Sequence, residues 1–383
     1  MNIQKIIIGL FLTVLPFSSF GSHILGGEIT WRCNGYKEFV FQVKIYRDCN
    51  GIQGPSSVTI HTNASVGSIL CHKISQTDLT PQGIGCASCS VPTGFYNSVE
   101  EYIYESVPMR INGSPPTTGW YFYYNDCCLN GALTNLSNPN DFSLRAYIYP
   151  NSGQGQTTCF DNSPYFAEPP TIGICTRDSA DLSFAAFDKD LDSLKYEFAP
   201  SLTNGFPGNN ATYSSGYSFS SPLPSSQQDP LNVSAILDNA SGQLSITSYT
   251  PGFFVVCLQV SSYRCGQIIS KIFRQYILLI KSNCTLSTSP TTIYNTSPDI
   301  LPLPYSETIN ISAGDTLNYN FSATEYEFLP VSAGGNPQTM TMRASSLALG
   351  FGDTSFTNGC LSLHVRYYRI QLLIPLPRIY PKD

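Results

Sequence analysis

Lys37-Glu-Phe-Val-Phe-Gln-Val-Lys-Ile-Tyr-Arg-Asp48 alternates along its length. Phe39, Phe41, Val43 and Ile45 share one face, and Val40, Gln42, Lys44 and Tyr46 the other, which is the two-residue period of a half-buried β-strand. Immediately upstream, Glu28-Ile-Thr-Trp-Arg-Cys33 reads as a partner strand, and Asn34-Gly35 between the two is a strong short-range hairpin signal. Working outward, further strands are expected at Ser57–Thr62, Tyr102–Val107, Trp120–Tyr124 and Ser143–Tyr149, most of them set apart by Pro or Gly. No capped run of helical period interrupts them. Residues 22–162 are therefore expected to form an antiparallel β-sandwich of about seven strands.

A Pro-containing connection, Ser163-Pro-Tyr-Phe-Ala-Glu-Pro-Pro170, leads into a second expected module over 163–284. Its strands are placed at Asp181–Phe187, Ser193–Phe198, Leu244–Ser248, Gly252–Tyr263 and Gln267–Lys281. The last two are joined by a hairpin at Arg264-Cys265-Gly266, and 201–232, rich in Ser, Gly, Asn and Pro, reads as a long loop. The remainder, 285–383, contains strand-like Glu307–Ser312 and Thr316–Ser322 and ends in the basic, Pro-containing run Val365–Asp383. It reads as a partial or truncated β-module with an atypical tail. The fold class is all-β: tandem antiparallel sandwiches, stapled by disulfides.

Composition narrows the function classes. Charged residues make up only 12% of the 383, and 20 Lys+Arg against 26 Asp+Glu leave a formal charge of −6. That balance excludes a general phosphate-backbone binder, so no nucleic-acid partner is expected. An aromatic share of 13% with so little charge is the opposite of a disordered composition. At the start, Met1–Lys5 carries a positive charge, Ile6–Phe17 is apolar, and Ser18–Gly21 places Ser19 and Gly21 at the −3 and −1 positions of a secretory signal. The apolar run falls short of the ~20 residues that span a bilayer. The expectation is a signal peptide over 1–21, read by export machinery, and a mature chain without a membrane span, at the cell surface or outside the cell.

The cysteines fit an oxidising compartment. Cys33, Cys49, Cys71, Cys86, Cys89, Cys127, Cys128 and Cys159 form one even group, and Cys175, Cys257, Cys265 and Cys284 a second. All twelve are candidate disulfide formers, with Cys360 left over, which is one reason to read the end of the chain as a truncated product. Cys86-Ala-Ser-Cys89 has the gap of a zinc ligand pair, but no second such pair exists, and His23, His61, His72 and His364 show no paired spacing.

Three stretches carry a family resemblance. Ser22-His-Ile-Leu-Gly-Gly-Glu-Ile-Thr-Trp-Arg-Cys33 continues into Phe41-Gln-Val-Lys-Ile-Tyr-Arg-Asp-Cys49-Asn. Asp126-Cys-Cys-Leu-Asn130 is followed by Leu133-Thr-Asn-Leu-Ser-Asn-Pro139. Asn162-Ser-Pro-Tyr-Phe166 leads to Ile174-Cys175 and then Phe187-Asp-Lys-Asp-Leu-Asp-Ser-Leu-Lys-Tyr196. In this order they resemble the N-terminal region of type IX-secreted, gliding-motility-associated surface proteins of gliding bacteria. The resemblance covers roughly residues 22–285. It implies a non-enzymatic array of immunoglobulin-like or cadherin-like β-sandwiches, usually closed by a C-terminal sorting domain; no such domain is recognisable here.

Two constellations are candidate sites. Asp188-Lys-Asp190-Leu-Asp192 alternates three carboxylates, the hard oxygen donors that calcium takes. Counting from Asp188, Ser193 and Ala199 stand where an EF-hand needs Gly and Glu, so the open readings are cadherin-type calcium or a solvated turn. Trp120-Tyr-Phe-Tyr-Tyr124 sends Trp120, Phe122 and Tyr124 to one face and Tyr121 and Tyr123 to the other. That second pair is available to stack on a surface glycan or a protein ligand, unless β propensity and core filling explain all five rings. No nucleophile elbow, HExxH, P-loop or dinucleotide fingerprint occurs. The expected function is therefore non-enzymatic surface display for adhesion, matrix contact or gliding. The alternatives are a secreted carbohydrate-active enzyme, a glycan-binding module, or a degraded remnant.

Overall fold

Strand follows strand from Ile24 to Lys281, and among the described residues there is no helix. The structure, a computed structural model, describes residues 24–282 except 36, 50, 52, 80–98, 128, 130–132, 138–140, 152–160, 167–168, 171–172, 178 and 204–208, together with five short strands between 292 and 364. The first half carries β1 (Ile24–Gly35), β2 (Glu38–Asp48), β3 (Ser57–Thr62), β4 (Ser68–Asp78), β5 (Val99–Ser106), β6 (Met109–Arg110), β7 (Trp120–Cys127) and β8 (Asp141–Ile148). Then follow β9 (Tyr165–Phe166), β10 (Gly173–Cys175), β11 (Ser179–Ser183), β12 (Ala186–Phe187), β13 (Ser193–Phe198), β14 (Leu202–Thr203), β15 (Asn209–Asn210), β16 (Val233–Leu237), β17 (Gln243–Thr247), β18 (Gly252–Arg264) and β19 (Gln267–Lys281). Farther on lie β20 (Thr292–Asn295), β21 (Thr316–Thr324), β22 (Met342–Ala344), β23 (Thr354–Phe356) and β24 (Cys360–His364). The strand expected at Glu307–Ser312 and the tail Val365–Asp383 lie outside the described residues.

Twelve strands share one sheet, in the order β1-β2-β5-β4-β3-β7-β8-β19-β18-β13, with β6 on β2 and β10 on β19. Because β1 also pairs with β19, eight ladders close on themselves: β1-β2-β5-β4-β3-β7-β8-β19 and back to β1. One edge of β19 is taken by β18 along its whole length, from Gly252↔Ile280 to Arg264↔Gln267. Its other edge is shared in turn by β8 at 270–272, β1 at 274–276 and, in parallel, β10 at 279–281. Hydrogen bonds thus run across the boundary expected at residues 162/163.

The inward face of β2 is as expected, but Val40 and Tyr46 on its other face are buried as well, so the strand is more than half-buried. Phe39, Phe41, Val43 and Ile45 are buried on the inner face, with Trp31 of β1 and Phe122 of β7 against them. The Phe41 and Phe122 rings stand 4.6 Å apart. Burying each such side chain stabilises by roughly 1.5–3 kcal/mol. The same core continues without a break through Phe254 and Tyr276 to Ile280, so the apolar faces of early and late strands fold as one body.

Two local features differ from expectation. The first hairpin does not turn at Asn34-Gly35: β1 pairs through Gly35↔Glu38, with a bulge between Cys33 and Gly35 and Lys37 in the left-handed region at φ 55°. The pairing of Cys33 with Phe39 keeps the apolar faces aligned, and that burial overrides the local turn preference. The late hairpin does turn where expected, with Cys265 at φ 51° and Gly266 at φ 77°, the two positive angles of a tight primed turn. Near the start of β1, Gly26 and Gly27 lie where strands crowd most. A Cβ on Gly26 would meet the Gln275 carbonyl oxygen at 2.2 Å, and one on Gly27 the Lys44 carbonyl oxygen at 2.4 Å.

Candidate functional site

Pleating sends Trp120, Phe122 and Tyr124 of β7 inward, where all three are buried, and leaves Tyr121 and Tyr123 half-exposed on the opposite face, 6.0 Å apart. Strand pairing extends that pair sideways. Tyr121 stands opposite Tyr147 of β8, and Tyr123 lies beside His61 of β3 with ring centroids 5.3 Å apart. Tyr147 stacks on Tyr149 at 6.1 Å and meets Phe273 of β19 edge-on at 5.9 Å. Burial raises the Tyr147 hydroxyl above its ordinary range and pushes that of Tyr149 up to about 12, so both rings stay neutral and hydroxylic at physiological pH. The result is a band of rings across β3, β7 and β8, anchored at one end on the buried Phe273 of β19. Such a surface contacts a ligand at small entropic cost, because each ring has only two side-chain torsions to fix. Sequence reasoning singled out Tyr121 and Tyr123 and missed Tyr147 and Tyr149. Both lie at the end of the expected strand Ser143–Tyr149, but their position beside β7 depends on topology.

The three alternating aspartates do not converge on one point. Asp188 Oδ1 accepts the backbone N–H groups of Asp190 (2.8 Å) and Asp192 (3.3 Å), closing its own turn. Asp190 accepts from the Asn162 backbone N–H (2.6 Å) and side-chain Nδ2 (2.9 Å). Asp192 takes the Arg264 guanidinium in a two-pronged grip, Nε at 2.7 Å and Nη2 at 2.8 Å. A fourth carboxylate, Asp161, is fully buried beside them, 3.7 Å from Arg264 Nη2, and neither of its oxygens accepts a hydrogen bond. Among the described residues no group of three or more His, Cys, Asp or Glu is placed to hold a metal ion. The Arg264 guanidinium and the Asn162 amide thus occupy Asp192 and Asp190, while Asp188 Oδ2 and both Asp161 oxygens are buried without a hydrogen-bond partner among the described residues. Burial pushes the Asp188 carboxyl up to about 7 and, with its acidic neighbours, holds Asp161 well above the usual carboxylate range. No local signal pointed to Asp161, Asn162 or Arg264, which come from distant stretches.

The candidate thiols divide. Cys33, Cys49 and Cys175 are disulfide-bonded. Cys71, Cys257 and Cys265 are free cysteines, which corrects the expectation that they pair. Alternation points Cys71, like Ile69, into the main core, and Cys257 packs with Ala199 and Phe273. Both fill space as small apolar groups. Cys265 sits exposed at the tip of the β18–β19 hairpin. Cys86, Cys89, Cys128, Cys159 and Cys284 lie outside the described residues, and Cys127 is described only in its backbone.

No helix among the described residues is long and apolar enough to cross a membrane. No protein-family model matches the chain, and no match was found among curated proteins.

Proposed function

We propose that this chain is an exported, non-enzymatic, disulfide-stapled all-β protein of the bacterial cell surface that makes adhesive or matrix contacts. The observation that carries the reading is the band of rings. Tyr121, Tyr123, Tyr147 and Tyr149 lie on the outer face of a hydrogen-bonded sheet, so their spacing is fixed by strand pairing. A rigid scaffold that holds aromatic contacts outward suits display better than chemistry. The leader-like Met1–Gly21 and the ordered resemblance over 22–285 to gliding-motility-associated, type IX-secreted surface proteins support the same reading.

The test couples binding with turnover. The mature protein and the double variant Tyr121→Ala/Tyr123→Ala are passed over immobilised glycans and matrix proteins while soluble products are assayed. Retention that the double variant loses, without product release, is the expected result. Sugar release from any glycan instead establishes the alternative, a secreted carbohydrate-active enzyme. N-terminal sequencing of the protein recovered from its native host should begin at about Ser22.

A further inference from the structure

Cross-strand pairing draws two straight rows over this face. One runs Tyr121, Tyr147, Lys271, Ser261, Lys195, each opposite the next, across β7, β8, β19, β18 and β13. The parallel row holds Tyr123 opposite Arg145, then Phe273, Gln259 and Glu197, with the Arg145 guanidinium 4.2 Å from the Phe273 ring. Five strands at ~4.8 Å spacing make each row roughly 19 Å long.

The charges in these rows do not balance. Lys195 pairs with Glu197 at 2.7 Å. Arg145 donates to the Pro200 carbonyl oxygen at 2.7 Å, and among the described residues neither it nor Lys271, which lies 5.9 Å from the Tyr149 ring, has a carboxylate within ion-pair distance. Arg145, Phe273 and Ser261 are buried, so the accessible part of the rows carries two cations, Lys195 and Lys271, against one carboxylate, Glu197, in a chain that has six more acidic than basic residues overall. Lys271 is half-buried among rings; desolvation, its largest influence, lowers its affinity for its proton, against a smaller opposing pull from Glu197 and a push from Arg145 and Lys195. A half-buried ammonium without a counter-ion gains more from an arriving anion than an exposed one does, because the local dielectric is lower.

Building on the reading of this face as a binding surface, we propose that it takes a carboxylate-bearing polysaccharide, a polyuronate, whose sugar rings lie on Tyr121 and Tyr147 and whose carboxylates meet Lys271 and Lys195. The row order, two rings and then two cations, matches a chain that presents apolar sugar faces and regularly spaced negative groups. The overall acidity of the protein limits non-specific attraction, so recognition depends on the local row.

Polygalacturonate and its fully methyl-esterified form share one sugar ring and differ only in charge, so they serve as probes. The full-length mature protein should be retained at least about fivefold more strongly by the acidic form. Half-molar salt should weaken that preference, chiefly at the exposed Lys195, and Lys271→Gln with Lys195→Gln should erase it. Tyr121→Ala/Tyr123→Ala should weaken both forms. Equal retention of the two forms, or a preference unchanged in the lysine variants, overturns the polyuronate proposal and leaves the contact surface standing. Retention by no glycan or matrix protein at all overturns both.

Discussion

Asn135 completes the backbone of Val255. Its Oδ1 accepts the Val255 N–H at 2.9 Å, and its Nδ2 donates to the Val255 carbonyl at 2.8 Å and to the Pro222 carbonyl at 2.7 Å. The side chain is fully buried and acts as one residue of an extra strand along β18. Asn135→Ala leaves three buried backbone groups without partners, a loss of about 3 kcal/mol. Thermal melts should show a fall of roughly 6–12 °C. A change under one degree would mean that water replaces the amide.

Glu28 and Arg274 form a fully buried ion pair across β1 and β19, and the guanidinium lies 3.8 Å from the Phe166 ring centroid. Breaking such a pair strands one charge in the interior. Glu28→Gln or Arg274→Met alone should therefore cost about 3–5 kcal/mol, and Glu28→Leu/Arg274→Met together distinctly less than the sum. Urea denaturation of the four proteins measures that coupling; simple additivity would show that the pair contributes no joint stability.

Gly26 tests the crowding at the start of β1. With the Gln275 carbonyl oxygen 2.2 Å from where a Cβ would sit, Gly26→Ala must push β1 away from β19, at a cost of about 3 kcal/mol or more. Gly35→Ala meets no atom within 4 Å of its added carbon and should change the melting temperature little. Comparable melts for the two variants would contradict the close approach.

Maleimide labelling separates the free thiols. Burial pushes Cys71 up to about 12 and Cys257 up to about 11, leaving essentially no thiolate at neutral pH, whereas Cys265 is exposed. Peptide mapping after a native pulse should find Cys265 modified and the other two protected until urea is added. Early modification of Cys257 would show that β18 opens readily.

Asp188 sets a pH dependence with a definite sign. Its folded carboxyl titrates near 7, and an unfolded one near 3.9, so the folded state binds the proton more tightly. Stability from this group is present at low pH and lost as pH rises from about 4 through 7. The wild-type melting temperature should fall by a few degrees between pH 5 and 8, and Asp188→Asn should flatten that slope while raising stability at pH 8. An identical slope in the variant would assign the effect to another group.

Much of the strand plan was legible because it is local. The alternation of Phe39, Phe41, Val43 and Ile45, the bounds of β3, β13 and β19, and the Cys265-Gly266 turn follow from side-chain period and turn chemistry. β4 escaped notice because its second half, Lys73 to Asp78, shows no apolar face of its own. Tyr121 and Tyr123 were found for the same reason that β7 was. Their neighbours Tyr147 and Lys271 were not, since only topology brings 121, 147 and 271 into register. The aspartate cluster was legible only in part: spacing shows three carboxylates but not the arginine, 72 residues after Asp192, that claims one of them.

The three-way sharing of the β19 edge has a consequence for the order of assembly. Synthesis delivers residue 24 first, yet its strand cannot be completed until residues 274–276 have been made. The nascent N-terminal region must wait with two unsatisfied ladders, at β1 and β8, for about 120 further residues after Ile148. A chain so arranged stays unfinished until late, which makes premature release or cleavage before Gln267 a route to sticky, strand-seeking fragments.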